Sequence, residues 1–293
     1  MVLLDGKQLA RQIKEELAQE TAAIIDAGGK VPHLAAVLVG DNPASQVYVR
    51  NKVRSCERVG FHSTLIRKPA DVSEEELLHI IEELNHDPGI DGFIVQLPLP
   101  DHLNEDRITL AIDPSKDVDG FHPVNMGRMA LGLPCYLPAT PCGIIQMLER
   151  YEISTSGKQV VVVGRSNIVG TPISILLSRK AKVGNATVTL CHSRTANLAD
   201  HTRRADIIIA SVGRPDTIKA DMVKRGAVVI DVGINRIDDP EAAKGYRLVG
   251  DVDFEGVSKI AGHITPVPGG VGQMTVVSLL MNTLSASKRE VYG

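Results

Sequence analysis

Four cysteines in 293 residues, Cys56, Cys135, Cys142 and Cys191, show neither CxxC spacing nor a disulfide-dense pattern. That argues against a thiolate metal site and against an oxidised framework. No stretch approaches the roughly 20 consecutive apolar residues of a membrane-spanning helix, and residues 1–7 lack the basic region and apolar run of a secretory signal. A cytoplasmic location without membrane partners is the expectation. A long Lys/Arg block is also missing. With 32 basic residues against 35 acidic, the net charge is −3, so nucleic acid is not an expected partner. Repeats and low-complexity tracts are absent. What the chain has is a 43% apolar content, ample for two modest cores.

Apolar strands alternate with amphipathic helices almost end to end, the pattern of an α/β fold with parallel sheets. Leu9, Ile13, Leu17 and Ile24 recur at helical spacing, and strands are expected over 34–39, 61–66 and 92–95. Between the first two strands a helix is expected over 44–59, closed by Gly60 in the left-handed region. Ser73 and Glu76 form a capping box for a helix reaching about residue 85. Residues 113–141, rich in Asp, Gly and Pro, read as loops and a boundary. Thr140 suits an N-cap and Pro141 a first helical turn, giving a connecting helix to about residue 150. Strands then recur at 158–163, 186–191, 206–211, 227–232 and 264–266, in the manner of a Rossmann domain. Val276, Val277, Leu280, Met281 and Leu284 mark a last helix expected to return to the first domain. The expected division is 1–140 with the returning segment 271–293, and 141–270.

The most informative junction is Lys158-Gln159-Val160-Val161-Val162-Val163 running into Gly164-Arg165-Ser166-Asn167-Ile168-Val169-Gly170. Glycine at a strand end lets the backbone approach phosphate, and a following helix offers N–H groups and a positive dipole end. The spacing is not GxGxxG. The next strand ends Cys191-His192-Ser193-Arg194 and lacks the acidic residue that would bond a ribose 2′-hydroxyl. Ser193 and Arg165 are positioned instead to donate to a 2′-phosphate, which favours NADP over NAD.

In the first half, Tyr48 and Lys52 lie four apart on the expected helix, so phenol and amine share one face. A solvated helix face is the plain alternative. Location favours a site, because the helix follows a strand-end loop of a parallel sheet, where such folds place ligands. Gln96 reaches the same edge directly after Phe93-Ile94-Val95; a strand-terminating amide is its plain alternative. Asp117-Val118-Asp119-Gly120-Phe121 sets two carboxylates in a tight loop that lacks the other positions of a calcium hand. No metal is expected.

Taken together, Val47-Tyr48-Val49-Arg50-Asn51-Lys52, Val95-Gln96-Leu97-Pro98-Leu99-Pro100, the Asp117–Asp119 loop, the Gly164–Gly170 turn and Pro266-Val267-Pro268-Gly269-Gly270-Val271-Gly272 resemble the bifunctional methylenetetrahydrofolate dehydrogenase/cyclohydrolase family. The likeness covers essentially the whole chain. It implies oxidation of 5,10-methylenetetrahydrofolate by NADP⁺ and hydrolysis of the methenyl product to 10-formyltetrahydrofolate. By position it implies that Lys52 is catalytic, with Tyr48 stacking on or positioning the folate, Gln96 bonded to Lys52, and Asp119 holding the pterin. It further implies substrate contacts from Val95, Leu97 and a loop of Pro268, Gly269, Gly270, Val271 and Gly272. Gly164, Arg165, Ser166, Ser193 and Ile234 would bind the dinucleotide, in a homodimer paired through the nucleotide domain. The chain departs from the family in Pro138-Ala139-Thr140-Pro141, where Pro-Cys-Thr-Pro is common, and in Gln273, where proline is usual. A dehydrogenase resembling shikimate dehydrogenase, or a non-catalytic NADP-binding sensor, are the alternatives.

Overall fold

A computed structural model describes residues 1–242 and 245–292. In chain order its strands are β1 (Val2–Leu3), β2 (His33–Val39), β3 (His62–Lys68), β4 (Gly92–Val95), β5 (Gln159–Val163), β6 (Thr187–Cys191), β7 (Ile207–Ala210), β8 (Val228–Asp231), β9 (Asn235–Asp238), β10 (Tyr246–Val249) and β11 (His263–Ile264). The helices are α1 (Gly6–Asp26), α2 (Pro43–Val59), α3 (Glu74–His86), α4 (Glu105–Ala111), α5 (Pro123–Leu131), α6 (Ala139–Arg150), α7 (Gly170–Ser178), α8 (Leu198–Thr202), α9 (Phe254–Ser258) and α10 (Val271–Ser287). Packing divides them into two compact units, one holding 11–139 and the chain from 276 on, the other 1–10 and 140–275.

The first unit is built on a parallel sheet in the order β3-β2-β4. Central β2 is almost wholly buried, as its unbroken apolar run requires of a strand covered on both faces. Val37, Phe93, Leu77 and Ile81 form its core on one side. Ser73 caps α3 as expected, its Oγ accepting the Glu76 N–H at 3.1 Å, and Gly60 takes φ +79°. The late helix also returns as expected. Asn282 of α10 donates to the carbonyls of Val118 (2.8 Å) and Leu137 (2.9 Å), and Val277 and Leu280 are fully buried.

The second unit carries a six-stranded parallel sheet in the order β1-β11-β8-β7-β5-β6. After β5 the chain adds β6 on one side and then crosses back to β7 on the other. The strand order therefore reverses beside β5, the place where open α/β sheets bind ligands.

Three local expectations give way. Residues 1–10 pack with the second unit and not with 11–139, because Val2 and Leu3 pair in parallel with His263 and Ile264. Residues 113–141 are not all loop: α5 forms there, with His122 as N-cap, Pro123 in its first turn and Gly132 at φ +72° closing it. Thr140 is not an N-cap, since α6 already includes Ala139, and its hydroxyl instead meets that of Thr275 at 3.0 Å. The antiparallel β9–β10 hairpin has no counterpart in the sequence pattern.

Candidate active site

In the first unit, parallel register places the site. Val37 of β2 pairs with Val95 of β4, and the next residue, Gln96, donates its backbone N–H to the Val37 carbonyl at 2.9 Å. The side chain of Gln96 thus emerges where β2 ends and the chain turns into α2. Its Nε2 donates to the Leu97 carbonyl at 2.7 Å, which leaves Oε1 as the acceptor for the Lys52 amine at 3.2 Å. One amide so fixes both partners, and the orientation of the amide follows from the bonds themselves.

Lys52 is only 8% exposed, while Tyr48, one turn earlier on α2, is 42% exposed. The pair therefore does not lie on a plain solvated face: the amine is turned in and the phenol out. Cys56, a further turn on, is fully buried and its thiol is pushed up to about 12 by that burial, so it stays protonated beside the lysine. No disulfide forms among the described residues.

Val95, Leu97 and Asp119 line one crevice, together with Phe93, Asp117 and Phe121. The two acids of the Asp117–Asp119 loop have different surroundings. Asp119 is partly open and its carbonyl accepts the Ala139 N–H at 3.3 Å. Asp117 is 2% exposed, and its carboxyl, raised to about 6 mainly by burial, accepts from Gly120, Phe121 and His122 N–H groups and from Asn125.

The second unit holds the glycine turn. Gly164 has φ +121°, and a Cβ there would lie 2.2 Å from the Ser211 carbonyl oxygen. A Cβ on Gly170 would lie 2.0 Å from the Gly164 oxygen. Both glycines are therefore demanded by the tightness of the turn. The start of α7 is less open than the sequence suggests. The Ser166 hydroxyl accepts from Val169 (3.2 Å) and Gly170 (3.5 Å), its carbonyl accepts from Thr171 (3.0 Å), and Pro172 has no N–H. What remains on offer is the exposed stretch 165–168 and the proton of the Ser166 hydroxyl.

Val163 pairs with Cys191 in register, so Arg165 and Ser193 each lie two residues beyond a matched pair, at adjacent strand ends, and both are exposed. The His192–Thr195 turn that presents Ser193 is closed by His192 N–H to Thr195 Oγ1 and Thr195 N–H to the His192 carbonyl, both 2.8 Å. Ile234 is 47% exposed just past β8, and a Cβ on Gly272 would lie 3.3 Å from its Cδ1. Pro268, Gly269, Gly270, Val271 and Gly272 thus belong to the same unit as Ile234. A glycine turn that excludes any side chain, beside two exposed donors at neighbouring strand ends, fits a phosphorylated dinucleotide.

Sequence reasoning missed Asp231 and Asp251. Asp251 accepts from Val212, Gly213 and Arg214 N–H groups and from Asn235 Nδ2, all at 2.6–3.0 Å. Asp231 accepts from Gly233, Asp251 and Val252 N–H groups at 2.9–3.0 Å. Together they tie down the loops after β7, β8 and β10. The only sequence signal was the pairing of small residues with each acid, Gly233 and Gly250, where a Cβ would strike the opposite carboxylate.

Fold and site define a nucleotide-dependent α/β enzyme with a lysine–glutamine pair in one unit and a dinucleotide turn in the other. Residues 4–119 match the tetrahydrofolate dehydrogenase/cyclohydrolase catalytic domain, and residues 138–291 match the NAD(P)-binding domain of the same family. The chain belongs to the tetrahydrofolate dehydrogenase/cyclohydrolase family. It is 61% identical over 288 residues to the "Bifunctional protein FolD" of Flavobacterium johnsoniae, covering 98% of each chain. With the protein of the same description from Bacteroides fragilis it shares 56% over 292 residues, 100% of both. Among solved structures, the bifunctional FolD enzyme of Campylobacter jejuni superposes with TM-score 0.93 at 48% identity, covering 99% of each chain. The Trypanosoma brucei enzyme, solved with NADP cofactor and an inhibitor, gives 0.93 at 38%, covering 100% of this chain and 99% of that one. A shikimate 5-dehydrogenase from Listeria monocytogenes reaches 0.50 at 12% identity, a likeness of fold alone, which does not support the shikimate alternative.

Proposed function

We propose that Lys52 is the acid/base of the site, oriented by Gln96, with Tyr48 placing the folate ring and Asp119 holding the pterin. The chain is an NADP-dependent methylenetetrahydrofolate dehydrogenase and methenyltetrahydrofolate cyclohydrolase of one-carbon metabolism. The sensor alternative falls with that activity. The observation that carries the residue assignment is the 3.2 Å bond from a nearly buried amine to an amide already committed on its other side.

NADP, held by Gly164, Arg165, Ser166, Ser193 and Ile234, supplies the acceptor for the hydride of the first step. The chain's own task in that step is placement. Asp119 accepts from the pterin amino group and ring N–H, and fixes the ring plane. Tyr48, largely open, offers its face to the ring, and Val95 and Leu97 give the apolar wall. In the hydrolysis, water adds to the methenyl carbon and a proton moves at a ring nitrogen. The Lys52 amine, withdrawn from bulk water, is the group we assign to that proton transfer. Gln96 orients it through its amide oxygen. The loop of Pro268, Gly269, Gly270, Val271 and Gly272 is our further assignment to substrate binding.

Among the described residues, no helix is long and apolar enough to cross a membrane. From the family likeness we infer a homodimer paired through the nucleotide domain, and we propose a cytoplasmic location; the net charge of −3 speaks against nucleic acid as a partner. Purified protein incubated with methylenetetrahydrofolate and NADP⁺ or NAD⁺, followed for reduced cofactor and methenyl product, tests the reading. Failure to reduce NADP⁺ overturns it.

A further inference from the structure

Behind Asp119 lies a run of polar groups that the residue assignments above leave unused. Asp117 stands two residues earlier, is 2% exposed, and takes one N–H from each of the three residues that follow Asp119. Gly120 donates at 3.1 Å, Phe121 at 3.3 Å and His122 at 2.8 Å. A single carboxylate thus closes the turn that carries its neighbour. Its second oxygen also takes Asn125 Nδ2 at 2.9 Å.

Asn125 is fully buried and has no freedom to flip. Its Nδ2 also donates to the Pro114 carbonyl (3.0 Å), while its Oδ1 accepts from the Tyr136 N–H (3.3 Å) and from the Tyr292 hydroxyl (2.8 Å). Reversing the amide would set donor against donor at the Tyr136 N–H and acceptor against acceptors at the Pro114 carbonyl and Asp117 Oδ2. Tyr292 is in turn fixed as a ring: the Arg128 guanidinium carbon sits 4.8 Å from its centroid and Tyr136 packs at 5.7 Å. The path Tyr292 to Asn125 to Asp117 therefore runs through committed hydrogen bonds to the backbone just past Asp119. Asn282 braces the same loop separately, through the Val118 carbonyl.

We propose that Asp117, with Asn125 and Tyr292 behind it, is a positioning carboxylate that sets the direction in which Asp119 meets the folate. This rests on the assignment of Asp119 to the pterin. The alternative for such a cluster is plain loop stability, and the two differ in what they move. A misdirected Asp119 weakens folate binding in ground and transition state alike, raising KM with kcat unchanged; loss of folded enzyme lowers apparent kcat with KM intact.

Steady-state kinetics on the full chain decide it, using Tyr292→Phe, Asp117→Asn, Asp119→Asn and the Tyr292→Phe/Asp119→Asn double variant. Tyr292→Phe keeps the ring and removes one donor, so the KM for methylenetetrahydrofolate rises about threefold; Asp117→Asn, which sets an amide against backbone donors, raises it about tenfold or more. The KM for NADP⁺ and kcat stay at wild-type values in both. In the Asp119→Asn background Tyr292→Phe adds nothing. If Asp119→Asn raises the folate KM while Tyr292→Phe and Asp117→Asn leave it alone, or lower kcat only, the positioning role is overturned and the pterin assignment stands. If Asp119→Asn leaves the folate KM unchanged, the pterin assignment fails and the proposal with it. Should Asp117→Asn not fold, Tyr292→Phe alone distinguishes positioning from loop stability.

Discussion

The backbone N–H of Asp251 donates at 2.9 Å to the carboxylate of Asp231, so one buried acid is hydrogen-bonded to the main chain of another. Burial first, and the charge of Asp251 in addition, raise Asp231 to about 6. That is above the value of about 3.9 for an unfolded chain, so the folded protein keeps a proton that the unfolded chain has released. The stability this proton brings is complete below about pH 4 and is lost as pH rises through about 6. Relative to Asp231→Asn, the wild type loses on the order of 2 kcal/mol of unfolding free energy between about pH 4.5 and 7.5. Denaturant unfolding of both proteins at the two pH values measures it. A gap between them that stays constant with pH refutes the burial account.

Lys52→Met keeps an unbranched stem and removes the amine. Hydrolysis of the methenyl substrate is expected to stop, while folate binding stays measurable by fluorescence or calorimetry. Undiminished hydrolysis sinks the role given to Lys52.

Arg165→Ala takes away a guanidinium at the strand end opposite Ser193. The KM for NADP⁺ should rise on the order of tenfold or more while that for NAD⁺ changes little, because the lost partner is the 2′-phosphate. Equal losses for the two cofactors would mean that Arg165 does not read that phosphate.

Gly164→Ala places a Cβ 2.2 Å from the Ser211 carbonyl oxygen at φ +121°. Strain of this kind costs roughly 1–3 kcal/mol at the least. The melting temperature should fall and NADP⁺ affinity should drop, with folate affinity spared since Tyr48, Lys52, Gln96 and Asp119 stand in the other unit. Wild-type NADP⁺ binding in this variant would show that the turn relaxes without harm.

Much of the fold and part of the site are legible in the sequence, for reasons that can be named. Continuous apolar runs mark β2, β4 and β5, the Ser73 capping box marks the start of α3, and the strand-glycine junction marks the nucleotide turn. Lys52 and Gln96 are suggested by their places at strand and helix ends, but their bond requires the β2–β4 register, which local sequence does not encode. Two-residue strands such as β1 have no periodicity to detect; their pairing is decided by partners some 260 residues away. The helix α5 is hidden because His122, Pro123 and Gly132 look like turn residues, until His122 and Gly132 are seen to bracket nine helical ones that begin with Pro123. Asp117 and Asp119 look alike in sequence, and only burial separates a carboxylate that serves the backbone from one left available.

The edge pairing of β1 with β11 has a consequence for biosynthesis. Residues 1–10 leave the ribosome well before the strand at 263–264 with which β1 pairs, and the unit built on 11–139 waits longer still for the segment after 275. Neither half is a contiguous stretch of the gene. Expressing the halves separately by cutting at residue 140 should strip each of a piece encoded with the other, so that the two fragments recover activity only when mixed.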